Sequence, residues 1–312
     1  MHDVVGTGRD LSLRALWQKI DKMIYKILLF LVSVKSAFCG CGNDVRQHGF
    51  SSGKKIYSIA KKADLPKILN ESSALVKHNE NLISLNDSGG KNELYEFDTK
   101  GILKNTYLID NQTNKDWEAL ASDQKETVFI GDIGNNCNCR KDLTIYKYNL
   151  QTKQNEGKIT FTYPDQTAFP PEKKERHFDC EAMLYFQDSL YLFSKNRGEK
   201  MVRLYVLPAK SGDYVAVLKD KIRINAAVTD AALNTDASAF ALITYGKVLL
   251  FDIKNKQIDF QSPKYCRKTS RKMTEAIAFK NETDFYFTNE QGQLFFSEKQ
   301  FFSEKLKTKS EK

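Results

Sequence analysis

The sequence predicts an all-β chain, and within that class a β-propeller of four-stranded blades. Three observations predict it. An opening phrase recurs: WEALAS at Glu118, CEAMLY at Glu181, TDAAL at Asp230 and TEAIAF at Glu275, with Ser73 of SSALV in the matching place of an earlier unit. Successive anchors lie 45, 63, 49 and 45 residues apart, and periods of about 40–50 residues belong to propeller blades rather than helical repeats. Each unit also holds three or four short, mostly alternating runs separated by Asn, Asp, Gly or Lys clusters, the mark of antiparallel strands joined by tight turns. Lastly, aromatics reach 12%, with 14 Tyr and 20 Phe, and such side chains suit a pleated, half-buried surface.

Taken in order, residues 1–41 read as an export signal. KILLFLVSV, from Lys26 to Val34, holds an apolar run of about eight residues that begins at Ile27, after Lys19, Lys22 and Lys26; the run is too short to span a bilayer and matches a signal-peptide core. Met23 then becomes the true start. Phe38-Cys39-Gly40-Cys41 resembles the lipobox of bacterial lipoproteins, with Cys41 (or Cys39) as the lipidated residue, although Lys35, Phe38 and Cys39 depart from the usual pattern. The expected location is exported, either as an outer-membrane or periplasmic lipoprotein held to the membrane through Cys41, or freely secreted.

Residues 42–53 read as a linker, 54–300 as the propeller and 301–312 as a charged tail. KKIYSIAKK, Lys54–Lys62, is a strand with no partner nearby in sequence, and the last unit lacks its outer strand. Placing the first on the last closes the ring and removes an open sheet edge. Five blades are counted, or six if AFPPEKKERHF, inside the 63-residue interval, hides a further element.

The six cysteines include Cys137-Asn-Cys139. That pair is too close to bridge comfortably and lacks zinc-site spacing, so a disulfide from this loop to Cys180 is one open pairing. The net charge of +9 raises nucleic-acid binding, but the lysines are dispersed among acids through turns and strand edges, and no nucleic-acid partner is expected.

Blade geometry turns the repeat into a site. The first strand lines the channel and the second runs back beside it, so the start of one and the end of the other share a face. Glu118, Glu181, Asp230 and Glu275, with Asp87, Asp132, Asn196 and Asn289, should gather around one mouth. Crowded carboxylates either hold protons or are neutralised by a cation, and an oxygen-only set suits Ca²⁺. Each acid alone can equally serve its own turn. His177, after KKER, reads as a surface-loop residue.

NDSGG, DWEALASD, GDIGNN with RKDLTIYKY, and DCEAM with LYLFSKNR resemble motifs of secreted bacterial propellers of the SdiA-regulated and esterase-like-phytase groups, and more distantly gluconolactonase-type propellers. The resemblance implies a cation in the channel mouth, with Glu118, Asp132, Glu181, Asn196, Asp230 and Glu275 as ligands. Two functions follow. One is a module that binds a small molecule, glycan or protein at the mouth. The alternative is a Ca²⁺-dependent hydrolase, lactonase or phosphoesterase-like, with Glu118 or Glu181 as general base.

Overall fold

The computed structural model describes residues 40–69, 71–87, 89–195, 197, 199–269 and 273–300. The expected export signal up to residue 39, the charged tail and Asn196 lie outside them.

Helix α1 (Gly42–His48) and strand β1 (Ser51–Ser52) precede β2 (Tyr57–Asp64). Blade one is β3 (Ser72–His78), β4 (Asn81–Asn86), β5 (Glu93–Phe97) and β6 (Leu103–Leu108). Blade two is β7 (Trp117–Ser122), β8 (Thr127–Asp132), β9 (Thr144–Asn149) and β10 (Gln154–Thr162). Blade three holds β11 (Cys180–Phe186), β12 (Ser189–Ser194) and β13 (Met201–Pro208); after β14 (Gly212–Val215) it ends with β15 (Val217–Arg223). Blade four is β16 (Val228–Leu233), β17 (Ala239–Thr244), β18 (Lys247–Asp252) and β19 (Pro263–Lys268). Blade five is β20 (Thr274–Phe279), β21 (Phe285–Asn289) and β22 (Gln293–Lys299), completed by β2.

Period-two alternation gives every blade two buried faces. Leu120, Val128 and Ile130 pack towards blade one, whereas Ala119, Ala121 and Phe129 pack towards blade three. Five such cores, one between each neighbouring pair, complete the circle. The last joins Ala276, Ala278 and Leu294 of blade five to Leu75, Leu82 and Phe97 of blade one. The expected closure is present: β2 runs antiparallel to β22, from Tyr57 opposite Lys299 to Asp64 opposite Gln293.

The 63-residue interval contains no sixth blade. It is filled by the nine-residue β10 and a loop with one 3₁₀ turn at Lys173–Glu175. In addition, β14 leaves blade three and pairs parallel with β10, Ile159 opposite Gly212, stitching blades two and three together.

Residues 42–53 are not a linker. Cys41 is disulfide-bonded to Cys266 with Cα atoms 5.7 Å apart. Asp44 on α1 pairs with Lys247 at 2.5 Å, with side chains only 2% and 1% exposed. Phe50 packs edge-on against Phe251, ring centroids 5.1 Å apart, and β1 adds a parallel strand to β19. The Cys41 sulfur is therefore engaged within the fold, not available to the thioether of a lipid anchor; Cys39 lies outside the described residues.

Candidate functional site

A bulge marks the start of the inner strand in all five blades. Registers slip between Ser72 and Ala74, Trp117 and Ala119, Cys180 and Ala182, Val228 and Asp230, and Thr274 and Ile277. Bulges re-aim the extra residue, and the residues stepped over include Ser73, Glu118, Glu181 and Glu275. Ser73, Glu118, Glu181 and Glu275 line a cavity of about 190 Å³ at the channel mouth, together with Asp87, Lys195, Tyr245 and Glu290.

In blade four the residue stepped over is Thr229, which corrects the expectation for Asp230. Aligned by register, Asp230 corresponds to Ala119 and Ala182, one step further along the strand. Its carboxylate is fully buried and accepts N–H bonds from Leu75 at 3.3 Å, Ile277 at 2.9 Å and Ala231 at 2.8 Å. It ties the inner strands of blades four, five and one together below the mouth, and burial pushes its carboxyl upward against the pull of those amides.

Asp132 also faces away from the cavity. It pairs with Arg140 at 2.9 Å and accepts the Asp116 N–H at 3.1 Å, so it positions Asp116. Asn289 accepts the N–H groups of Gln291 and Gln293 and serves its own turn. Glu181 is held by Lys195 through both oxygens, with Arg197 at 3.4 Å. Arg197 also pairs with Asp179. Lys195 in turn lies 5.6 Å from the centre of the Tyr245 ring.

One side of the mouth is arranged differently. Oxygens of Asp87, Asp116 and Glu118 all lie within 4.8 Å of one another. Gly134 makes this approach possible: a Cβ there would collide with the Asp116 carboxyl and come within 2.7 Å of Glu118 Cγ. Ser73, 9% exposed, turns into the same cavity a buried Oγ with no hydrogen-bond partner. A buried polar atom left unsatisfied costs about 1–3 kcal/mol.

The electrostatics match the crowding. Burial, reinforced by Glu181 and Asp87, holds the Glu118 carboxyl well above the usual range. Asp116 rises to about 6 through burial and then through Asp87 and Asp179. Glu181 rises to about 7, burial outweighing the pull of Lys195. Glu275 rises through burial, again against Lys195.

Chain spacing misled elsewhere. Cys137 and Cys139 do bridge each other, with Cα atoms 5.2 Å apart. Asn138 makes this possible by taking a left-handed backbone, φ 55°, which Asn tolerates better than most residues. Cys180 is a free, buried thiol, pushed up to about 12 by burial. His177 is buried rather than a surface-loop residue, and burial holds its imidazole below the usual value. Asp116 and Lys195 were legible only as neighbours of the repeated phrases.

The topology defines a five-bladed β-propeller with an acidic channel mouth. No family model matches the chain, and no curated protein matches it. Among solved structures it is similar to a chain of the mitotic checkpoint complex, with 9% identity, TM-score 0.39, and coverage of 74% of this chain and 62% of that one. It is also similar to the Cps50 (Swd1) β-propeller domain of Myceliophteria thermophila, with 10% identity, TM-score 0.42, and coverage of 77% and 99%.

Proposed function

We propose that this propeller is a binding module whose channel mouth holds a hard divalent cation, Ca²⁺ by preference, and presents it to a small molecule, glycan or protein. The observation that supports this is the grouping of Asp87, Asp116 and Glu118 around one point, with Asp87 and Glu118 lining the cavity into which the orphaned Ser73 Oγ turns. The donors are all oxygen, which suits Ca²⁺ and its flexible coordination of six to eight ligands. Lys195 already compensates Glu181, so the cation belongs on the Asp116 side. This set replaces most of the expected one: Glu118 stays, Asp87 and Asp116 join it, Asp132 positions Asp116, and Asp230 is structural.

The hydrolase alternative draws on Glu181, whose carboxyl burial pushes up to about 7, the range that suits a general base. The paired Cys41 and Cys266 support export to an oxidising compartment, in keeping with the resemblance to secreted bacterial propellers.

Calorimetric titration of Ca²⁺ into chelator-treated protein tests the module, followed by lactone and phosphoester panels. One binding event weakened at least about tenfold by Glu118→Gln is expected. Equal affinity in the variant removes the cation site, and turnover lost in Glu181→Gln would favour the hydrolase.

A further inference from the structure

The loop after β8 carries chemistry that the mouth does not use. We propose that the Cys137–Cys139 disulfide is a redox-active pair that exchanges with the two thiols of a partner peptide or protein, and is not a structural crosslink.

The first support is chain length. This bridge spans a sequence separation of 2, against 225 for Cys41–Cys266. The stabilisation from a crosslink grows with the loop it closes, so a bridge around one residue contributes least. Accessibility is the second: Cys137 and Cys139 are exposed, whereas Cys266 is 1% exposed.

The loop also keeps its shape without the bond. Asn138 is fully buried. Its side chain donates to Asn135 O at 3.0 Å and accepts the Phe178 N–H at 2.8 Å. Its carbonyl accepts from Gln166 at 2.8 Å, and Arg140 N donates to Asn135 Oδ1 at 3.0 Å. Two thiols released here remain neighbours, so closure stays effectively intramolecular.

Finally, one sulfur already has partners for its released form. Cys137 Sγ accepts the Cys139 N–H at 3.2 Å, which would stabilise a departing thiolate. It lies 3.7 Å from Asn135 Oδ1, an acceptor for the thiol proton. Cys137 is therefore the leaving group and Cys139 the sulfur attacked.

The exchange balances without another oxidant. A partner thiolate attacks Cys139 Sγ; the S–S bond breaks, its electron pair leaves on Cys137 Sγ, and that sulfur takes up a proton. The partner's second thiolate attacks the partner sulfur of the mixed disulfide, closing a disulfide in the partner and releasing Cys139, which is protonated in turn. Two electrons and two protons pass from the partner to the pair.

The test uses the full oxidised chain, mixed without oxygen at neutral pH with a short peptide bearing two reduced cysteines. Alkylation and peptide mass mapping read each thiol. Cys137 and Cys139 should open at least about tenfold faster than Cys41 and Cys266. One peptide disulfide should form per chain, through an intermediate on Cys139, with the melting temperature moved by less than about 2 °C. A double variant, Cys137→Ser with Cys139→Ser, should melt like the wild type and oxidise no peptide. The proposal is overturned if the pair opens no faster than Cys41–Cys266. It also fails if opening the pair lowers the melting temperature as much as opening Cys41–Cys266, or if the double variant oxidises peptide at the wild-type rate.

Discussion

At Glu181, burial and Lys195 pull in opposite directions and burial wins, raising the carboxyl to about 7; at Asp116 burial raises it to about 6. Both lie above the ordinary values of 4.5 and 3.8, so the fold holds protons that the unfolded chain has already lost. The stability these groups allow is full below about pH 4 and is lost as pH rises through about 6 to 7. In chelator, the melting temperature should fall from pH 5 to pH 8, and Ca²⁺ should restore more of it at pH 8 than at pH 5. A melting temperature flat across that range in chelator would contradict the crowded mouth. Asp230 is expected to behave differently. Asp230→Ala strands three buried N–H groups and should destabilise by about 2–4 kcal/mol in denaturant titration, with Ca²⁺ affinity unchanged. Glu118, Glu181 and Glu275 were legible because each repeats a phrase. Asp230 was misplaced because TDAAL carries its acid one step late, and a bulge leaves no compositional sign. Asp116, Lys195 and Tyr245 owe their roles to neighbours across the ring, which no local pattern reports.

The same blindness to distant partners governs the elements. GNDVRQHGFSSG reads as a polar, turn-rich connector because every charge in it looks solvated. The partner of Asp44 is Lys247, 203 residues away, and that pair fastens α1 to blade four. Removing one member of a buried pair leaves the other charge uncompensated, so Asp44→Ala should cost about 3–5 kcal/mol, measured by chemical unfolding. Replacing both residues by apolar ones of similar volume should cost much less. Strands were easier, since alternation survives in every blade. Their count was also legible, although the stitch of β14 onto β10 was not: its few residues, GDYV, pair across a blade boundary that local sequence does not mark.

For the whole molecule, ring closure was the feature read most securely, because an unpartnered strand at one end and a short unit at the other complete each other. Deleting residues up to Asp64 would bare the edge of β22 and uncover Tyr57's place beside Phe285, 5.6 Å between ring centroids. The deleted chain should lose cooperative unfolding and self-associate, as seen by scanning calorimetry and size-exclusion chromatography. The closing pair also sets the response to tension. Tyr57 and Lys299 sit opposite each other, so a pull on both termini would peel that ladder one bond at a time. Cys41–Cys266 changes the route of the load. Force entering at Cys41 passes straight to Cys266 and skips a sequence separation of 225, about 770 Å of extended chain. While the bond holds, a stretched molecule surrenders only β20, β21 and β22, and the rest of the ring, β2 included, is shielded from the pull.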